Sequence, residues 1–253
     1  MDTKYVDVIL PNFNKEKYLE EAIQSVINQS YKYWKLYIID DCSDDNSINI
    51  LNKYNNYENI IIKKLSKNKG PSFCRNFGLR ISSAEYVAFI DSDDYWTENK
   101  LDDQISFMYK NDYNFTFTDY TPFLQLKDKK KFLKPTDILE KFNLKKFTLN
   151  SSINTTTMIV SRSIIKNLKF KKIKKLEDYL FKCEILKKGF IAKKYKSNSA
   201  FYRILKTSRS SDRIKNLFYL WQINSKYLNY NFFNNLFSIF MISINSLKKY
   251  GLK

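Results

Sequence analysis

The chain has 253 residues, with 44 Lys and Arg against 26 Asp and Glu for a net charge of +18, only four Gly and four Pro, and no His. Such a length can bury a substantial core in one large domain or two small ones, and the composition excludes collagen-like and low-complexity chains. The missing His excludes Ser-His-Asp and Cys-His nucleophilic sites and His-ligated zinc, leaving acid–base chemistry to carboxylates, Lys, Tyr or Cys.

Val6–Leu10 reads as a strand stopped by Pro11, and Tyr18, Leu19, Ala22, Ile23, Val26 and Ile27 then recur at helical spacing. Lys35–Ile39 is a second strand ending at Asp40-Asp41, followed by a helix carrying Ile48 and Leu51 that Ser43 or Asp44 can cap. Ile60–Ile62 is a third strand, Gly70-Pro71 opens a helix through Leu79, and Tyr86–Ile90 is a fourth, buried strand. A helix beginning near Thr97 carries Leu101, Ile105 and Met108. Strands alternating with helices predict an α/β domain with a mostly parallel, Rossmann-like sheet, whose ligands bind outside the carboxyl ends of the strands. Asn12, Asp41 and Asp91 fall at such ends. Further on, Phe115–Asp119 and Thr156–Val160 read as strands and Lys127–Lys131 as a basic loop. Leu176–Lys188 is a helix closed by Gly189, residues 190–205 are extended, and two helices follow Asp212.

Cys42, Cys74 and Cys183 form no CxxC pair and fit small thiols of a reduced, cytoplasmic protein. Met1–Lys4 leads directly into the first strand without a signal-peptide stretch, so secretion is not expected. The charge is polarised. Residues 1–126 hold 14 basic and 19 acidic side chains, residues 127–253 hold 30 and 7, so the second half seeks an anionic surface.

The most informative segment is Phe89-Ile90-Asp91-Ser92-Asp93-Asp94-Tyr95-Trp96, an acidic knot directly after an apolar strand. Carboxylates this close repel, and at least one pKa rises unless a cation compensates. Mg²⁺ or Mn²⁺, hard cations that take oxygen ligands and keep positions for substrate phosphates, are the expected compensation. The competing reading is a solvated acidic turn capping the next helix. Tyr95 and Trp96 read as packing residues.

Four segments occur in order: Val8-Ile9-Leu10-Pro11-Asn12-Phe13-Asn14, Ile38-Ile39-Asp40-Asp41-Cys42-Ser43-Asp44-Asp45-Asn46-Ser47, Asn68-Lys69-Gly70-Pro71-Ser72-Phe73-Cys74-Arg75-Asn76, and the acidic knot. Together they resemble the nucleotide-sugar-binding half of glycosyltransferase family 2, the inverting GT-A enzymes. The resemblance is close over residues 4–126 and looser to about residue 211. It implies a single GT-A domain, with a donor-binding half over 1–126 and an acceptor and catalytic-base half over 127–211, followed by a helical tail over 212–253. It also implies site roles. Pro11, Asn12, Phe13 and Asp41 line the pocket of the base, and Arg75 lies near base and diphosphate. Asp91 faces the ribose, Asp93 holds the metal with Asp91 beside it, and Asp94 is a further candidate. Asp178, beside Glu177, matches the catalytic base, its pKa raised by that neighbour. Cys42 stands where the family usually has Gly or another small residue, and Asn12 where it often has Thr. Residues 202–211 resemble the loop that closes over the phosphates but lack its frequent His, so Lys206 or Arg209 would take over that charge.

The implied reaction is metal-dependent, inverting transfer of a hexosyl or N-acetylhexosaminyl group. The donor is a nucleotide diphosphate sugar, with UDP preferred, and the acceptor is a hydroxyl of a lipid-linked oligosaccharide or surface polysaccharide. Two rivals belong to other classes. A haloacid-dehalogenase-type phosphatase also uses Asp-x-Asp after a strand, but wants Thr or Val where Tyr95 stands. A basic nucleic-acid-binding protein would explain the charge, yet no recognition motif appears, and no nucleic-acid partner is expected. Finally, Phe233, Leu236, Phe237, Phe240, Met241, Ile244 and Leu247 recur at helical spacing before Lys248-Lys249. Leu236–Ile244 is about half the ~20 residues that span a bilayer, so the stripe predicts either a helix packed on the domain or a peripheral anchor on the anionic cytoplasmic face of the inner membrane.

Overall fold

The computed structural model describes residues 4–127, 129–205 and 212–250. β1 (Val6–Asn12) lies between β2 (Trp34–Asp40) and β4 (Tyr86–Phe89), parallel to both, with Asn12 in register with Asp40. β3 (Ile60–Lys64) extends the parallel set beyond β2. Fully buried runs such as Val8-Ile9-Leu10 and Val87-Ala88-Phe89 mark strands covered on both faces. The covering helices are α1 (Leu19–Ile27), α2 (Ser47–Asn52), α3 (Pro71–Ile81) and α4 (Lys100–Asn111). Pro71 stands at the start of α3, where its missing N–H costs nothing. Gly78 lets α3 approach β1 closely, since a Cβ there would lie 2.7 Å from Ile9 Cγ2.

β5 (Tyr95–Trp96), β6 (Phe115–Leu126), β7 (Lys129–Phe132), β8 (Lys141–Phe142), β9 (Ile159–Ser161) and β10 (Ala192–Ile204) complete one sheet, ordered β3-β2-β1-β4-β9-β6-β10-β5, with β7 beside β6 and β8 beside β10. β9 runs antiparallel between β4 and β6, whereas β6 and β10 are parallel to each other. The sheet is therefore mixed around a parallel half. Between the later strands lie α5 (Leu144–Asn150), α6 (Arg162–Ile165) and α7 (Glu177–Lys187), the last ending before Gly189 at φ +93°.

Three local expectations change. Most of the expected basic loop at 127–131 is β7, which pairs with β6 and places Phe132 beside Phe123. At the start of α2 the side chain that bonds the helix is Asp45, accepting from Ser47 N at 2.9 Å, and Ile50 with Leu51 is buried rather than Ile48. Thr155–Thr157 is a 3-10 turn, not part of a strand.

α8 (Arg213–Leu228) and α9 (Phe232–Tyr250) follow the sheet. α9 packs on the domain through one face. That face is partly polar: Asn235 and Ser238 are fully buried, Asn224 Nδ2 donates to both, Ser238 Oγ donates to Thr148 O at 2.6 Å, and Asn245 Nδ2 to Leu149 O at 3.0 Å, beside Ile239 and Ile242 packed on the core. The large apolar residues Phe232, Phe233, Leu236, Phe237 and Phe240 face outward, each at least half exposed. Among the described residues no helix is long and apolar enough to cross a membrane.

Candidate active site

The carboxyl ends of β1, β2 and β4 deliver Asn12, Asp41 and Asp91 to one rim. Asn12 is buried, and its Nδ2 donates to Asp40 Oδ1 at 2.8 Å and to Ser43 Oγ at 3.3 Å, while its buried Oδ1 accepts no hydrogen bond within the protein. Asp41 is buried as well. Its Oδ1 accepts from Lys69 N at 2.7 Å and its Oδ2 from Gly70 N at 2.8 Å, which ties β2 to the entrance of α3. Phe13 is exposed at the rim and Pro11 half-buried. Cys42 adopts φ +64°, the left-handed region that favours Gly.

The acidic knot separates into three environments. Asp91 Oδ1 accepts from Arg75 Nη2 at 2.7 Å. Asp93 Oδ2 accepts from Lys15 Nζ at 2.7 Å. Asp94 is sealed inside, accepting from Thr156 Oγ1 at 2.6 Å and Arg203 N at 2.9 Å. Burial raises the Asp93 carboxyl; Lys15 opposes that and Asp91 adds to it. Asp94 is pushed well above the carboxylate range by burial and then by its neighbours Asp93 and Asp91. The knot thus behaves as close carboxylates must, and Asp94, a further candidate, is the one of the three held by internal hydrogen bonds. Trp96 packs inside and donates Nε1–H to Thr156 O at 2.8 Å.

Arg75 is buried and links the knot to α7, since Nη1 also reaches Glu177 Oε1 at 3.4 Å. Its guanidinium stands 5.4 Å from the Phe170 ring. Both terminal nitrogens thus meet carboxylates, while the buried Nε donates no hydrogen bond within the protein. Asp178 follows in the first turn of α7, about one-third exposed, with Leu176 ahead of it at φ +63°. Its Oδ2 accepts from Lys182 Nζ at 2.8 Å and Thr155 Oγ1 at 3.1 Å. Burial works to raise this carboxyl, but the Lys182 charge and hydrogen bond, the Arg75 charge and the Thr155 hydroxyl hold it well below the usual range. The expected rise from Glu177 is corrected accordingly: Glu177 is turned to Arg75, and Lys182, one turn along α7, decides the sign.

Two partners absent from the sequence reading stand out. Lys15 comes from the β1–α1 turn, and only the fold brings it to Asp93, 78 residues away. Arg203, at the end of β10, donates Nε–H to Asp93 O at 2.9 Å and also bonds Gln125 and Glu21. Lys206 and Arg209 lie outside the described residues.

Among the described residues no group of three or more His, Cys, Asp or Glu gathers to hold a metal ion. Asp91 and Asp93 still fit a divalent cation: they offer hard oxygen donors, and their mutual repulsion marks where positive charge is wanted. Two carboxylates plus substrate phosphates are an ordinary ligand set for Mg²⁺ or Mn²⁺.

The family model "Glycosyl transferase family 2" matches residues 7–169. The Escherichia coli UDP-Glc:alpha-D-GlcNAc-diphosphoundecaprenol beta-1,3-glucosyltransferase WfgD is 33% identical over 233 residues, covering 88% of this chain and 86% of its own. The Staphylococcus aureus (strain N315) poly(ribitol-phosphate) beta-N-acetylglucosaminyltransferase TarP is 35% identical over 225 residues, covering 83% of this chain and 66% of its own. Among solved structures, S. aureus TarS 1–349 in complex with UDP-GlcNAc superposes with a TM-score of 0.71 at 19% identity, over 96% of this chain and 73% of that one. With four ordered motifs on one rim of a GT-A fold and the family model spanning most of the chain, this protein belongs to glycosyl transferase family 2 and is a glycosyltransferase.

Proposed function

We propose that the enzyme transfers a hexosyl or N-acetylhexosaminyl group from a UDP-sugar, with inversion, to a hydroxyl of a lipid-linked oligosaccharide or surface polymer. The observation that carries this reading is the ion-pair bridge Asp91–Arg75–Glu177, which ties the acidic knot, where Asp93 feels the Asp91 charge, to the start of α7, where Asp178 stands. The names of the relatives support the substrate classes, since they specify UDP-Glc, a diphosphoundecaprenol-linked sugar and a poly(ribitol-phosphate).

The base of the nucleotide rests against Pro11 and Phe13, and its imide N–H is offered to Asp41 or to the unpaired Asn12 Oδ1, a buried acceptor that calls for a donor. Asp91, held by Arg75, faces the ribose. A divalent cation held by Asp93 and Asp91 would neutralise charge on the departing diphosphate. Asp178 takes the proton of the acceptor hydroxyl as that oxygen attacks the anomeric carbon opposite the leaving group. One displacement inverts the anomer, so no enzyme nucleophile is required. Because its carboxyl is held low, Asp178 is ionised at any working pH and accepts the proton only as attack develops. Residues 1–126 serve the donor, 127–211 the acceptor and base. The outward face of α9 seats residues 212–253 on the anionic cytoplasmic leaflet, as a peripheral enzyme.

A donor panel tests this reading. Thermal unfolding with UDP-, GDP-, CMP- and dTDP-sugars, each with and without Mn²⁺, should select UDP with Mn²⁺, a ligand at ~100 times its Kd adding about 2.7 kcal/mol. Asp93→Ala should lose metal-dependent donor binding by calorimetry while remaining folded. Unchanged affinity in that variant sinks the metal assignment.

A further inference from the structure

The two carboxylates assigned to the cation each have a positive partner, and the two partners differ in kind. Arg75 is buried, planar and wedged between Asp91 and Glu177 over the Phe170 ring, which fixes it in place. Lys15 is about one-quarter exposed and reaches Asp93 on a flexible four-carbon stem. Its backbone, by contrast, is held firmly. Lys15 N donates to Ser47 Oγ at 3.2 Å, Asn14 N to Ser43 Oγ at 3.0 Å and Glu16 N to Asp45 Oδ2 at 2.9 Å. Asn14 Nδ2 and Asp44 Oδ1 add a 2.6 Å bond, and Asn46 N returns one to Glu16 Oε2 at 2.8 Å. The β1–α1 turn is thus stitched to the β2–α2 turn on both sides of Lys15. A movable ammonium on a fixed root ends on the carboxylate oxygen that a metal would take.

We infer that Lys15 is an exchangeable placeholder for the cation: its ammonium occupies Asp93 in the ligand-free enzyme and transfers to the incoming diphosphate when the metal takes the carboxylate. The inference rests on the metal reading above and goes beyond it, because it assigns an order. Metal alone must displace Lys15 against its ion pair, so it binds weakly. Nucleoside diphosphate supplies a second anion for the released ammonium, so metal and donor enter together. Neither Asp93 nor Lys15 is then left without a charged partner in either state, whereas an unpaired half-buried charge is costly.

The experiment is a Mn²⁺ titration of the full chain, following the electron paramagnetic resonance signal of free Mn²⁺, without nucleotide and with saturating UDP. Wild type, Lys15→Met, Lys15→Gln and Lys15→Arg are compared, each checked for folding by its thermal transition. A site that Lys15 fills nine-tenths of the time has its apparent affinity lowered about ten-fold. Lys15→Met and Lys15→Gln should therefore bind Mn²⁺ alone about ten-fold more tightly than wild type, and Lys15→Arg should not. With UDP present that advantage should vanish or reverse. Equal or weaker binding of Mn²⁺ alone by both neutral variants overturns the placeholder while leaving the metal site standing. A loss confined to UDP affinity also overturns it, making Lys15 a phosphate ligand only. No Mn²⁺ binding by any of the proteins, with or without UDP, removes both readings.

Discussion

In the proposed reaction Asp178 is the residue on which the chemistry turns, and its surroundings predict how it fails. Lys182 and Thr155 both meet Oδ2, so replacing the carboxylate by its amide keeps shape and most packing but removes the proton acceptor. Asp178→Asn should hold donor affinity near wild type and lower transfer by ~10²–10⁴-fold, the usual contribution of a general base. Steady-state rates beside calorimetric donor binding check this; full activity would move the base elsewhere, with Glu177 next. Cys42 offers a quieter test. A non-Gly residue at φ +64° is strained, and the family resemblance expects a small residue or Gly there. Relief of that strain is set against the extra unfolded-state entropy of Gly, so Cys42→Gly should leave stability unchanged or raise it by up to about 1 kcal/mol. A drop in the urea midpoint would refute the strain argument. What could be read at this scale followed sequence proximity. The knot, Asp41 and Asn12 announce themselves because each follows its own strand. Lys15 and Arg203 do not, because their partners lie 78 and 110 residues away. Lys182, at i+4 from Asp178, was within reach of the sequence, and weighing it would have given the sign of the Asp178 shift.

Elements were legible where a period of 3.6 or a continuous apolar run ended at a clear stop, as in β1, α1 and β4. They were less so where pairing decides. Lys129–Phe132 is a strand only because β6 offers it an edge, and nothing in four residues containing three lysines signals that. α4 carries the most costly element-level feature. Lys100, its first residue, is fully buried; its Nζ donates to Gln104 Oε1 at 2.9 Å and lies 4.4 Å from the Trp96 ring, at the helix end whose dipole already disfavours a cation. Burial pulls its pKa from 10.5 down to about 7. The unfolded chain therefore binds a proton that the folded chain has released between those two values. Stability from this group rises with pH from about 7 towards 10.5 and is lowest at and below 7. Lys100→Met removes the penalty. Urea unfolding should find it more stable than wild type by about 2–4 kcal/mol at pH 6–7, with the gain shrinking at pH 9. A gain independent of pH would mean that packing, not charge, is responsible.

At the scale of the whole molecule, the proposed membrane seat would account together for the unequal charge of the two halves and the exposed face of α9. Asn235, Ser238 and Asn245 fasten α9 to α5 and α8 through hydrogen bonds, and Ile239 and Ile242 pack against the core beside them. Phe232, Phe233, Leu236, Phe237 and Phe240 are instead exposed on its other side, with Phe232 against the Trp221 ring. An apolar ridge in the strongly basic half of the chain suits an anionic bilayer surface, where insertion and head-group attraction add. Deleting α9 is a poor test, because it would uncover Asn224 and Thr148, whose partners lie on that helix. The full chain carrying Phe233→Ser, Phe237→Ser and Phe240→Ser leaves the inward polar contacts untouched. Burying a Phe side chain is worth about 2 kcal/mol; if insertion realises half of that, losing three lowers partitioning by about 100-fold. Flotation with vesicles of increasing anionic content should therefore carry the wild type at low salt, less of it at high salt, and little of the triple variant at either. If the wild type stays behind on anionic vesicles at low salt, or the variant floats equally well, the face serves another partner, and sedimentation equilibrium of the same two proteins would show whether that partner is a second copy of the chain.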